Sequence, residues 1–450
     1  MPGTLKEAVN ADPTPHARLL TVVLHFDDLL APPALAFAWV EKSLALGRGD
    51  ADAFSGKRLT LLDPRVSTDH AELVRRGDET FVRDLGSSNG TWVNGERVDG
   101  EQRLGSGDLI ELGRTVLCYR ETTTALAWQV IGKKGQPQGV SFGALRTFNP
   151  ELGELYRRLT KIAATPQPVL IVGETGTGKD VLSNTLHDAS GRKGQLVAVD
   201  CGAVPDSLFE STLFGHERGA FTGATEARVG EISRAQNGTL LLDEVGNLTP
   251  AGQAKLLRVL ESGKVTPLGG TKTQEVDVRW LAATNRKLMQ EGDGFRSDLL
   301  HRLAGFVIEL PPLRARREDL GLLLADLLIT AKVKRASLHP VAGRALVNNA
   351  LGGNVRQLRN IVQRAAHHGP EVVLELEALG ALEQSPEPIS EPDEVERPRG
   401  DVPDKAALET ALTTAKGNVA QAARSLNTSA RQLYRWLARA EIDPETFRRS

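Results

Sequence analysis

The chain has 450 residues, too many for one ordinary hydrophobic core, so roughly three folded units with linkers are expected. Its 55 basic and 57 acidic residues leave a formal charge of -2, which excludes a whole-molecule field that would draw it to nucleic acid or anionic lipid, so DNA binding has to be local. Only two cysteines occur, Cys118 and Cys201, neither with a second ligand at metal spacing; they read as buried free thiols in a reducing cytoplasm, and with no apolar h-region before Arg18 and no apolar run of about 18 residues, no membrane span is expected.

Residues 19–121 consist of short β-like runs punctuated by Gly, Asp, Asn and Ser, the spacing of an all-β sandwich. A Gly- and Lys-containing connector follows at 122–140. Over 141–383, apolar strands alternate with helical patterns, which predicts an α/β unit with a parallel sheet covered by helices. Between Glu383 and Asp404 there are five prolines and eight acidic residues with almost no large apolar side chains, so 384–404 reads as a flexible tether. The remainder, 405–450, is all-α in pattern and carries eight basic against four acidic residues, which places the chain's local positive charge here.

The strand-like run Val169–Val172 leads into Gly173-Glu174-Thr175-Gly176-Thr177-Gly178-Lys179-Asp180, the spacing of a P-loop. Its glycines let backbone N–H groups approach phosphate oxygens, and Lys179 supplies a point charge to the β and γ phosphates. Asp180 stands where the general pattern has Ser or Thr for magnesium. Further on, the apolar strand from Gly238 ends in Asp243-Glu244, as a Walker B element requires: Asp243 is expected to hold hydrated Mg²⁺ and Glu244 to polarise the attacking water. ATP and Mg²⁺ are the implied cofactors. Between these elements lies Gly219-Ala220-Phe221-Thr222-Gly223-Ala224, a glycine-hinged loop with one aromatic and one hydroxyl.

That hexapeptide and the run Leu213–Arg218 before it resemble the loop with which bacterial enhancer-binding proteins, sigma-54-dependent AAA+ activators, engage sigma-54. The resemblance implies that Phe221 packs on sigma-54 RNA polymerase and Thr222 hydrogen-bonds to it, between the hinges Gly219 and Gly223. It implies further that Thr284-Asn285 sense the γ-phosphate, that Arg296 and Arg302 act in trans on a neighbour's nucleotide, and that Arg356 reaches the phosphates of its own subunit from an α-helical lid. A homo-oligomer, from dimer to hexameric ring, follows from trans-acting arginines. Two departures stand out: Asp200 occupies a place where the family mostly carries Asn, with repulsion of Glu244 or a shared proton as the expected result, and Gln357 replaces the usual Glu.

The front segment resembles a forkhead-associated (FHA) domain through Gly47-Arg48, Ser67-Thr68-Asp69-His70 and Asp84–Gly95. The resemblance implies phosphothreonine binding, with Arg48, Ser67 and Thr68 on the phosphate, Ser88 and Asn89 on the peptide backbone, and His70 as a brace; a phosphothreonine protein or Ser/Thr kinase is the implied partner. The tail resembles a Fis-type helix-turn-helix. Ser429 caps its last helix, Arg431 and Gln432 are candidates for base edges of upstream enhancer DNA, and Tyr434 and Arg435 for phosphate. The chain therefore reads as a transcription activator driven by ATP hydrolysis, with an ATP-binding FHA adaptor of little hydrolysis as the alternative.

Overall fold

The computed structural model describes residues 16–31, 36–39, 41–131, 139–285, 294–349, 351–367, 369–375 and 405–414. The chain divides into two compact units, Met1–Pro388 and Ile389–Ser450. In the second unit the described part is the helix Lys405–Thr414, where Leu408, Ala411 and Leu412 are buried at helical spacing, matching the expected start of the tail. The DNA candidates Ser429, Arg431, Gln432, Tyr434 and Arg435 lie outside the described residues, as does the tether 384–404.

The front of the first unit is the expected β-sandwich. One six-stranded sheet runs in the order 36–39, 16–25, 115–123, 109–112, 91–93, 96–97, and the other 101–104, 79–84, 71–76, 43–48, 58–61, 53–54. The first strand pairs antiparallel with the last, His16 opposite Thr123, so the sandwich extends slightly beyond the predicted 19–121 at both ends. Leu20, Val22, Leu117 and Tyr119 point into the sandwich core. A register shift between Val22 and Leu24 changes the phase of the first strand, and Val23, Leu24, Val116 and Cys118 face the other way, into a second core. Within the predicted connector Thr124–Val130 is a helix, for which the Thr123 hydroxyl accepts from Leu126 N–H.

The central domain is built on a five-stranded parallel sheet in the order 196–200, 239–243, 279–284, 169–172, 306–309. The strand Arg279–Thr284 lies between the P-loop strand and the acidic strand, and all six of its residues are buried. At its start the buried Arg279 donates to the carbonyls of Ala163 (2.6 Å) and Ile162 (3.0 Å) in the last turn of the helix Pro150–Ala163.

The lid comprises the helices Leu320–Thr330, Pro340–Asn348 and Asn354–Ala366, and departs from the all-helical expectation: Arg335–Leu338 and Glu371–Leu374 form a parallel strand pair on it. Lid and sandwich share one hydrophobic core, in which Val23, Phe26, Val116 and Cys118 interleave with Leu320, Leu324, Leu346 and Leu358. Both cysteines are buried free thiols. Among the described residues no helix is long and apolar enough to cross a membrane.

Candidate functional site

The C-terminal ends of the parallel strands open on a pocket of about 280 Å³, lined by Thr175, Gly176, Gly178, Lys179, Asp180, Asp200, Asp243, Glu244, Val355, Arg356 and Arg359 among others. This is where a doubly wound sheet presents ligands. Helix Lys179–Ser190 begins at left-handed Gly178 with no side-chain cap, so its first-turn N–H groups remain available to an anion in the pocket. Gly176 (φ 80°) has a second reason to be glycine: a Cβ there would lie 2.4 Å from Gly353 O, where the lid seats on the loop.

Lys179 is almost fully buried, with its ammonium 2.9 Å from Gly173 O and 3.6 Å from Glu244 Oε1. Glu244 adopts left-handed backbone (φ 49°, ψ 49°) at the end of the acidic strand, and its other oxygen accepts from Asn285 N–H at 3.1 Å. Asp243 is pushed above its ordinary value, first by burial and then by the neighbouring charge of Asp180 and Glu244. This crowd of negative charge fits a divalent cation, whose charge would relieve it. Among the described residues no group of three or more His, Cys, Asp or Glu is placed to hold a metal ion by itself.

The predicted pocket residues separate into those that face the cavity and those that build it. Glu174 turns away: Arg314 binds it with both terminal nitrogens (2.8 and 2.5 Å), Asn354 Nδ2 adds a third contact at 3.0 Å, and these hydrogen bonds, Arg314 first, hold its carboxyl below the usual range. Thr177 donates to Glu174 O (2.8 Å) and Gly173 supplies the carbonyl for Lys179, so both shape the loop. Thr284 is fully buried and its carbonyl accepts from Gly173 N–H, whereas Asn285 reaches Thr175 Oγ1 (3.4 Å) as well as Glu244. Of the two, Asn285 is the one whose side chain reaches the phosphate loop. Asp200 lines the same pocket as Glu244; its carboxylate accepts from Gly202 and Ala203 N–H groups (2.8 and 3.1 Å), whereas the partners of Glu244 are Lys179 and Asn285.

Arg296 and Arg302 are exposed and lie outside the pocket. Arg296 is engaged within its own chain, 2.7 Å from Asp298, whose carboxyl this contact holds down at about 2. Sequence reasoning missed Arg314, Asn354 as a ligand of the P-loop, and Arg359; the pattern Leu313-Arg314 directly after two prolines was the available signal for the first.

The hexapeptide projects between the short strands Gly215–His216 and Arg228–Val229. Gly219 (φ 82°) and Gly223 (φ 101°) both use backbone that other residues resist, and Gly219 N–H donates to Ala224 O at 2.8 Å, closing the tip. Phe221 is 38% exposed, with its ring edge against His216 at 5.0 Å, and Thr222 is exposed.

At the loop end of the sandwich, Arg48, Thr68, Ser88 and Asn89 are exposed. Ser67 Oγ accepts from Ser88 N–H (3.2 Å) and Asn89 Nδ2 donates to Arg65 O (2.7 Å). His70 is the expected brace: Nδ1 accepts from Ser67 N–H and Nε2 faces Gly90 O at 3.2 Å, a neutral tautomer consistent with burial lowering its pKa. Burial would raise Asp84, but hydrogen bonds from Ser87 and Thr91 outweigh it and hold the second loop in place. Arg58, unremarked in the sequence, donates to Thr68 O and to Asp69 at 2.8 Å.

A P-loop on a parallel sheet, an acidic strand one strand removed from it and a lid arginine over the pocket define a AAA+ nucleotide-binding module. Residues 145–309 match the Sigma-54 interaction domain, 314–394 the AAA+ ATPase lid domain, 44–113 the FHA domain and 403–439 the Fis family of bacterial regulatory proteins. The chain thus carries, in chain order, segments similar to an FHA domain, a Sigma-54 interaction domain with its AAA+ lid and a Fis-type regulator. It is 39% identical over 308 residues to the regulatory protein LuxO of Vibrio cholerae serotype O1, covering 62% of this chain and 58% of LuxO. It is 44% identical over 240 residues to the anaerobic nitric oxide reductase transcription regulator NorR of an Enterobacter species, covering 50% and 48%. These alignments thus span about half to three fifths of the length of the relatives. Among solved structures, NtrX from Brucella abortus in complex with ATP aligns at 28% identity and a TM-score of 0.48, over 67% of this chain and 70% of that one.

Proposed function

We propose that this chain hydrolyses ATP as an oligomeric ring and uses the energy to remodel the closed promoter complex of sigma-54 RNA polymerase. The observation that carries the reading is the convergence of Lys179, Asp243, Glu244 and Arg356 on one pocket of a sheet whose neighbouring insertion presents an exposed Phe221 and Thr222. Lys179 and the first-turn N–H groups hold the phosphates, and Arg356 closes on them from the lid. Asp243, through water, is the residue placed to hold magnesium, which when bound neutralises charge on the phosphate oxygens. Glu244 takes the proton of the attacking water, a role that requires its release from Lys179 and Asn285. Arg296 and Arg302 complete the neighbour's site, and Arg296 must leave Asp298 to do so. Thr284 and Asn285 link the pocket to the central strand.

The tip then delivers the conformational change, with Gly219 and Gly223 as hinges. The FHA loops bind a phosphothreonine protein or kinase through Arg48, Ser67, Thr68, Ser88 and Asn89, and the Fis-type tail binds upstream DNA, so the protein works in the cytoplasm. Changing Thr222 to Ala is expected to leave ATP turnover largely intact and to abolish open-complex formation at a sigma-54 promoter. Normal open-complex formation by that variant would remove the tip from the mechanism. The adaptor alternative predicts no ATP turnover by the wild-type chain.

A further inference from the structure

The lid is fastened at two ends. At the inner end the turn before helix Asn354–Ala366 seats on the phosphate loop: Val355 N–H donates to Gly176 O at 3.0 Å, Asn354 Nδ2 donates to Thr175 O at 3.1 Å, and Arg356 lines the pocket. At the outer end the helix Pro340–Asn348, which runs almost directly into that turn, is tied to the β-sandwich. Its Arg344 donates Nε and Nη2 to Glu111 at 2.8–3.1 Å, and the guanidinium carbon lies 3.9 Å from the centre of the Trp92 ring. Glu111 is only 4% exposed, so its charge depends on this partner; loss of the arginine would leave it buried and unpaired. The Trp92 indole also faces the carbonyl of Asn89, in the loop next to the FHA site, at 3.4 Å. Arg344 itself does not line the pocket.

We infer that Arg344 is a positioning residue for the nucleotide site: gripped by Glu111 and Trp92 of the sandwich, it fixes the lid helix that leads to Arg356, so the FHA domain is part of what orients the arginine over the phosphates. The inference rests on reading the pocket as an ATP site and goes beyond it by assigning a structural share of that site to the sandwich. Because the grip is on a packed helix joined by a short turn to the helix that starts on the phosphate loop, a loosened outer end shifts the inner one.

The test is a titration of a fluorescent ATP analogue onto the full-length chain as wild type, E111Q, R344M, the E111Q/R344M double variant and K179A, with steady-state turnover measured alongside. R344M keeps the aliphatic stem over Trp92, and E111Q keeps the shape and acceptor of the carboxylate. The dissociation constant for the analogue is expected to rise about fivefold or more in R344M and in the same direction in E111Q, with KM moving more than kcat. The double variant is expected to be no worse than the weaker single one, since both remove the same contact. A dissociation constant within about twofold of wild type in both single variants, whatever their melting temperatures, overturns the inference. Should R344M fail to fold, E111Q decides alone. Undiminished binding by K179A would instead overturn the ATP reading of the pocket and the inference with it, whereas loss in K179A alone sinks only the inference.

Discussion

The nucleotide pocket and the loop end of the sandwich both gather groups suited to phosphate, and they are built on opposite plans. In the pocket the scaffold is backbone: an uncapped helix N-terminus, glycines at positive φ and a lysine that is nearly fully buried. At the sandwich tip the candidates are side chains on exposed loops, held in place from beneath by His70 and Asp84. A buried charge such as Lys179 is oriented before ligand arrives and stabilises charge that develops during reaction. An exposed arginine such as Arg48 costs little to keep and gains its worth when a partner covers it. The first plan suits chemistry and the second suits recognition.

That contrast can be broken most decisively at Glu244. A Glu244→Gln variant is expected to bind ATP as wild type does and to lose about 10²- to 10⁴-fold in turnover, read by phosphate release. Turnover within tenfold of wild type would move the base elsewhere. Next in size is Arg302→Ala, which is expected to lower turnover about 10³-fold or more while leaving binding to the chain's own pocket unchanged in the analogue titration. At the sandwich tip, Arg48→Ala is expected to weaken binding of phosphothreonine peptides by about 1.5–3 kcal/mol, seen by fluorescence anisotropy, with no change in ATP turnover without peptide.

A smaller and more structural effect is expected at Asp319, which is fully buried between the central domain and the lid and accepts from Thr147 Oγ1 (2.7 Å) and Phe148 N–H (2.6 Å). Burial, reinforced by Glu318, pushes its carboxyl up to about 7. Because the folded state then binds the proton more tightly than the unfolded state, this group's contribution is fully present below pH 4 and is lost as pH rises through 7. Chemical denaturation of wild type and Asp319→Asn across pH 5–8 should show a fall with pH in the wild type that the variant lacks; parallel curves would contradict it.

The P-loop and the acidic strand were legible in the sequence because each is a contiguous run whose chemistry depends on spacing, and the hexapeptide was picked out by its resemblance to a known loop. The continuous apolar pattern of Arg279–Thr284 announced a buried strand, and its place between the other two came from resemblance to similar ATPases. What stayed hidden is what joins distant runs. Glu111 and Arg344 are 233 positions apart and each reads as an ordinary surface charge. The strands 16–25 and 115–123 bury both faces, but a bulge at Val22/Leu24 disguises the period that would have announced it. Asn354 looked like the start of a helix and turned out to bridge Leu313 N–H, Glu174 and Thr175. Arg356 was found by resemblance, and its neighbour Arg359, one turn along, was not.

The core common to sandwich and lid has a practical corollary for anyone who dissects this protein. Gly321 sits so near the sandwich that a methyl group on it would come within 1.9 Å of Val23 O, and Phe26 fills the equivalent space at Gly343. A cut made at the end of the FHA match would strip the leucines of helix Leu320–Thr330 of part of their cover and bare Val23 and Phe26 on the other fragment. Neither piece would be expected to behave as a clean soluble module; the smallest unit worth expressing runs from the first strand through Leu374.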